Sequence, residues 1–506
     1  MTLLRLFKNT KPPAVGIQEE EGTSLGEAQL LSQGIFLLLA SGLGILMALL
    51  IARGSWLLAL GVLLSIPAII VFSAYPFAAI IVWLLVNSFL QTTPDDMTRM
   101  AYWMMHRALP PAALGVAVLA DLFKLNTKRP RVKLGGAELS MVIFVGVALL
   151  NILWYHPSGY LSHLYNLYDQ LFIPFCLYGL IRLTAPREQD LNRLIPGAFA
   201  LVVFEVIVGI LSWLRPEVLP RDWVGYSSQR TIGTFGFAHA YSTTLVFFSL
   251  LLFQAAMHRK SGVTRTVLLL AVGMGVAGVF FSFSRGGWLG GLAAATGLLI
   301  MYPKTVLRLS IILLLVMSIL GMTVLSGQMA FADERMNSDD TAKIRWVLWD
   351  AGLQMIYAKP FFGWGYSDYK LYAWRFQERV FNFVASREFA SHNTLISIAA
   401  ELGVPALLLF LFPVGWWLRR TRKVWSRLPR AGFWSRSLLV AFWLVILDHL
   451  ITGFFSDMRT SIYGQSMWWV TLGFIANMVD AYLPPDKQQL PAQFLQADQL
   501  DTEAHL

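Results

Sequence analysis

Runs of about 20 apolar residues recur from Ile35 almost to the C-terminus of this 506-residue chain, and each matches the hydrocarbon thickness of a bilayer when wound as a helix. Inside lipid the backbone must satisfy its own polar groups, so such runs fold as helices. Composition agrees: 56% of the residues are hydrophobic and only 14% are charged, too few charges to cover a water-soluble surface of this size. The sequence therefore predicts an all-α, polytopic membrane protein. Spans are expected near residues 35–51, 56–72, 76–90, 108–123, 139–155, 170–184, 195–214, 238–257, 266–283, 287–302, 308–326, 392–418, 437–455 and 464–482, about 14 in all.

Loop charge sets the orientation. Lys124, Lys128, Arg129, Arg131 and Lys133 fill one connection. Arg187 with Arg193, then Arg259, Lys260 and Arg265, then Lys304 with Arg308 fill alternate ones, and a dense group from Arg419 to Arg436 fills another. All fall on one side under this count, which the positive-inside rule makes cytoplasmic. The opposite connection from His156 to Asp169 contains no Lys or Arg. Loops 91–107, 215–237 and 327–391 then face outward. The expected organisation is a polar cytoplasmic segment 1–34, an integral domain 35–483 and a disordered cytoplasmic tail 484–506. Residues 1–34 do not read as a signal peptide, so the first apolar run is expected to direct insertion. Cys176 is the sole cysteine, which excludes internal disulfides and cysteine-built metal centres. The eight histidines are scattered, so neither a metal-ligand cluster nor a cofactor is expected. A net charge of +10 is accounted for by cytoplasmic loops rather than by nucleic acid.

The outward loop 327–391 is too long for a simple connector, and loops of that length carry function. Within it, Ile344, Leu348, Ala351 and Met355 recur at helical spacing, predicting an amphipathic surface helix over Thr341–Tyr357. Pro360 ends it and Gly363-Trp364-Gly365-Tyr366 makes a turn. Arg345, Lys359, Lys370 and Arg375 are among its cations, an arrangement that either reflects a solvated loop or attracts an anionic substrate. Directly after the loop, Ser391-His392-Asn393 opens a long apolar helix, with Ser391 as a candidate N-cap. Histidine is the side chain best suited to taking a proton near neutral pH. Arg230 and Arg285 stand at the same outward rim, each readable as an interfacial anchor or as a fixed cation.

Three motifs carry a resemblance. Ser284-Arg285-Gly286-Gly287-Trp288, the stretch from Arg345-Trp346 through Pro360 to Gly363-Trp364-Gly365, and His392-Asn393 through Glu401-Leu402-Gly403-Val404-Pro405 resemble, in order and spacing, the O-antigen ligase superfamily, which also holds O-antigen and exopolysaccharide polymerases and protein O-oligosaccharyltransferases. The resemblance spans roughly residues 225–420. Arg230-Thr231-Ile232-Gly233-Thr234-Phe235 looks like the family's outward Arg-x-x-Gly-x-Phe element, whereas Gly236-Phe237-Ala238-His239 departs from the Asn-Pro-Asn common there. The resemblance implies a GT-C-like inverting glycosyltransferase of the bacterial inner membrane. It would move a glycan from undecaprenyl pyrophosphate to an acceptor sugar on the periplasmic face, without a metal. It assigns His392 as the base and Arg230, Arg285, Arg345 and Asn393 to substrate. The implied partners are the lipid-linked donor, the glycan acceptor, membrane lipids and other polysaccharide-assembly proteins, with no nucleic acid.

Two rival readings stand beside it. Thr93-Pro94-Asp95-Asp96 is either a capped turn or an outward carboxylate site of the kind that uses a divalent metal. Glu205 and Asp448-His449 fall inside apolar spans, where they serve either as interhelical hydrogen-bond glue or as the proton relay of a transporter or flippase. A protein hydroxyl remains an alternative acceptor.

Overall fold

The computed structural model describes residues 74–91, 96–122, 134–156, 159–225, 230–323, 326–337, 340–377 and 390–483, with isolated positions between 48 and 72. The chain divides into two units, Met1–Val71 and Phe72–Leu506, and only isolated positions of the first are described. Segment 1–34, tail 484–506 and Thr93–Asp95 lie outside the described residues.

Among the described residues the chain is helical, with no strand beyond an isolated bridge between Val224 and Thr231. The helices are α1 (Phe77–Val86), α2 (Asp96–Tyr102), α3 (Leu109–Leu122), α4 (Gly136–Tyr155), α5 (Tyr160–Leu167), α6 (Ile173–Thr184), α7 (Glu188–Leu214), α8 (Ala238–His258) and α9 (Gly262–Phe281). They continue as α10 (Arg285–Met301), α11 (Pro303–Met322), α12 (Ser326–Asn337), α13 (Asp340–Ala358), α14 (Tyr369–Ala373), α15 (Thr394–Leu402), α16 (Val404–Val424), α17 (Arg436–Phe455) and α18 (Ile462–Asp480). Six of them, α4, α7, α8, α9, α11 and α17, are long and apolar enough to cross a membrane.

Three expected boundaries shift. Loop 91–107 is mostly helix, because α2 runs through a π turn (Trp103–Ala108) into α3. One of its cations is tied to a distant element: Arg107 grips Asp169 through Nε at 2.8 Å and Nη2 at 2.6 Å. The span expected at 170–184 begins ten residues earlier, since α5, a second π turn (Tyr168–Phe172) and α6 are continuous. The span expected at 392–418 is broken at Gly403, whose φ of 89° lies in the left-handed region, and Pro405 then starts α16 in its first turn.

Burial distinguishes the inner helices from the lipid-facing ones. In α8 94% of the apolar window is buried, against 6% in α11. Helix α8 packs on α7, α9, α10, α17 and α18, whereas Leu307, Ile311, Ile312, Leu314 and Leu315 of α11 are exposed, an apolar surface that lipid satisfies. One end of the bundle is tied by ions. Arg182 bridges Glu138 and Asp480, and Arg420 reaches Asp480 at 3.3 Å. The basic connections after α6, α8, α10 and α16 lie at this end. The opposite end gathers the starts of α8, α10, α15 and α18.

Candidate active site

His392 projects from a bracket made by its neighbours. Ser391 Oγ accepts from the Asn393 amide at 3.0 Å and donates to the Asn393 carbonyl at 2.8 Å, closing the backbone tightly around residue 392. Ser391 and Asn393 are both buried, while residue 392 between them stays accessible. The price is a φ of 52° at His392, a left-handed conformation costing a non-glycine residue about 1–2 kcal/mol. Such strain persists where surrounding structure fixes it, often at functional sites.

The cap of α15 is Asn393, not Ser391. Asn393 Oδ1 accepts from Leu395 N at 2.9 Å and Ile396 N at 3.0 Å, the ordinary use of asparagine at this position. Its oxygen is thereby committed to the helix, and only the buried Nδ2 is left to donate to a ligand.

Below this segment lies a buried ionic trio that the sequence reading did not foresee. Arg459, in the turn between α17 and α18, holds Asp457 through Nε at 3.1 Å and Nη2 at 2.7 Å, and reaches Glu401 through Nη1 at 2.6 Å. Burial raises the Asp457 carboxyl, but Arg459 and its hydrogen bonds, with one from Ser397, overcome this and hold it below the usual carboxylate range. Thr394 stitches the same turn to α15: its hydroxyl donates to the Ser456 carbonyl and accepts from Met458 N, both at 3.0 Å. A carboxylate and an arginine two positions apart, in a short turn between apolar spans, were the available sequence signal.

Two cations lie near the histidine. Arg345 and Lys370 lie within electrostatic range of His392, and Arg230, Asp457 and His392 lie within range of His239. His239 occupies the first turn of α8, where the sequence departs from the family pattern. Its Nε2 is buried without a hydrogen-bond partner. Burial lowers the His392 pKa below 6.5, Arg345 and Lys370 lower it further, and Asp457 opposes them. The lowering favours the neutral imidazole, the form that can take a proton.

Arg285 enters through helix packing. It opens α10, which Ser284 caps by accepting from Gly287 N at 3.4 Å. A Cβ on Gly286 would lie 3.1 Å from Phe455 Cβ, and one on Gly287 would lie 2.2 Å from Ser242 Oγ. The first turn of α10 is therefore wedged between the end of α17, which leads to Asp457, and the start of α8, which carries His239. The Arg230 element is fixed from α7: Glu205 accepts from Thr234 N at 3.1 Å and Thr234 Oγ1 at 2.6 Å.

The remaining motifs interlock. Trp364 N donates to the Ala400 carbonyl at 3.0 Å, Gly365 N to that of Glu401 at 3.1 Å, and Val404 N to that of Pro360 at 2.7 Å. The tryptophan turn thus closes on the break between α15 and α16 and takes up carbonyls that the end of a helix leaves open. Helix α13 forms as expected, burying Leu348, Ala351 and Met355, and packs on α15.

Residues 266–411 match the family model described as O-antigen ligase. The chain is similar to O-antigen ligases over this stretch. No curated protein matches the chain. The matched stretch contains Arg285, Arg345, His392 and Asn393, whereas Arg230 and His239 precede it. The match supports glycosyltransferase activity of the ligase or polymerase type in a multi-pass membrane protein.

Proposed function

We propose that the protein transfers a glycan from undecaprenyl pyrophosphate to a sugar hydroxyl on the periplasmic face of the inner membrane, inverting the anomeric centre. The acceptor oxygen bonds to the anomeric carbon as the bond from that carbon to the pyrophosphate oxygen breaks. His392 takes the hydroxyl proton, and the electron pair leaves with the pyrophosphate. Arg230, Arg285 and Arg345 stabilise the negative charge of the departing group, with Lys370 alongside.

The observation that carries this reading is the His392 imidazole, with its pKa lowered first by burial, within electrostatic range of Arg345 and Lys370. Asp457, the nearby carboxylate, is paired with Arg459, while Arg345 and Lys370 outweigh it at His392. The grouping of basic connections at the far end of the bundle supports an outward-facing site. The proposed chemistry needs no metal at His392. The basic outward loop and the departure at His239 favour a growing polysaccharide as acceptor over a lipopolysaccharide core. Glu205 is spent on Thr234, which favours structural use over proton relay and weighs against transport.

The test is transfer by purified protein from a polyprenyl-pyrophosphate-linked glycan to a saccharide acceptor, followed by product mass. Lengthened glycan in wild type and none in His392→Ala supports the reading. Equal product from both overturns it.

A further inference from the structure

Two histidines outside the His392 motif stack on each other. His156 follows α4 and His163 lies on α5, with ring centroids 3.8 Å apart and planes inclined by 12°. The fold brings Asp368, from the other side of the tryptophan turn, to the same point. One nitrogen from each histidine and a carboxylate oxygen of Asp368 lie within 4.8 Å of one another.

The buried His156 Nε2 and Asp368 Oδ2 pair with each other at 2.7 Å, and neither has another hydrogen-bond partner. Asp368 stands at the N-cap position of α14 but makes no capping bond; its carboxylate is turned to the histidines instead. His163 Nδ1 lies 3.1 Å from the Tyr366 carbonyl, and donating there leaves the Nε2 lone pair free. A backbone carbonyl behind a histidine is the usual outer support of a metal-ligating imidazole.

We propose that His156, His163 and Asp368 form a zinc site, with solvent in the fourth position. Two imidazoles and one carboxylate suit zinc, whereas magnesium and calcium call for oxygen ligands. With bonds of about 2.0–2.1 Å, tetrahedral ligand atoms sit about 3.3 Å apart, so side-chain torsions close the site. The ion clasps the α4–α5 connection to the start of α14. Lys370, two residues beyond Asp368, is thereby held near His392. The ion's role is structural, and no step at His392 passes through it.

The full chain, purified in detergent through a tag without histidine, is loaded with zinc sulfate and dialysed, and its metal content is measured. About one zinc per chain is expected, falling to near zero in His163→Gln and Asp368→Asn. Chelation should lower the thermal midpoint of wild type, zinc should restore it where magnesium does not, and the variants' midpoints should ignore both. Wild type that retains no zinc, or variants that retain as much as wild type, overturns the site. Should Asp368→Asn fail to fold, His163→Gln alone decides, because His163 lies outside the tryptophan turn.

Discussion

Arg459 Nη1 donates to Glu401 Oε2 at 2.6 Å, joining the turn between α17 and α18 to a residue of α15 58 positions earlier. The same guanidinium neutralises Asp457, and the Glu401 carboxylate accepts from Ser367 N at 3.0 Å and Tyr369 N at 3.3 Å. Three segments around the site thus depend on one cation. Arg459→Met leaves two buried carboxylates unpaired and should cost about 3–5 kcal/mol, read as a lowered unfolding midpoint in detergent. A midpoint within error of wild type would show that the trio holds nothing together.

His392→Ala should abolish transfer with an unchanged thermal midpoint, because residue 392 stays accessible. His392→Gln, which keeps a hydrogen bond but takes no proton, should fail equally. Activity in the glutamine variant would reduce His392 to a positioning role.

A base works unprotonated, so the sign of the pH effect follows. The His392 pKa is lowered from 6.5 by burial, then Arg345 and Lys370, so kcat/KM should be level at neutral pH and fall through one group below 6.5. The decline should approach about tenfold per pH unit. Arg345→Gln removes a lowering cation and should move this limb to higher pH. An unmoved limb would take Arg345 away from the histidine.

Arg285→Lys and Arg230→Lys should each lose about 100–1,000-fold in turnover, the cost of removing one oxyanion donor, while expression stays normal. Lysine keeps the charge but not the planar fork that holds two phosphate oxygens. Wild-type turnover in Arg285→Lys would make that residue an interfacial anchor.

Gly363 has a φ of 65°, and a Cβ there would stand 2.2 Å from the Glu401 backbone. Gly363→Ala should cost at least about 2 kcal/mol from left-handed strain and overpacking, seen as a lower midpoint and slower transfer together. A neutral substitution would mean that the tryptophan turn does not clamp the α15–α16 break.

The sequence by itself determined the class of the protein. Apolar runs that match a bilayer force helices because lipid offers no other partner for the backbone, and the spacing of Leu348, Ala351 and Met355 foretold the buried stripe of α13. The cations of the rim, His392 and the tryptophan turn were legible for the same reason: each is local, written within a few consecutive residues. Tertiary structure alone decided the rest. Asn393 rather than Ser391 caps the helix, because the backbone turns left-handed at His392. Glu401 meets Arg459 and Asp457 only when the α17–α18 turn closes on α15, and Asp368 meets His156 and His163 only when the tryptophan turn folds against α4 and α5. Glu401 and Asp368 lie scores of residues from the partners they meet, and their spacing carries no periodicity. Folding brings them together because each, once buried, costs free energy unless it finds a partner.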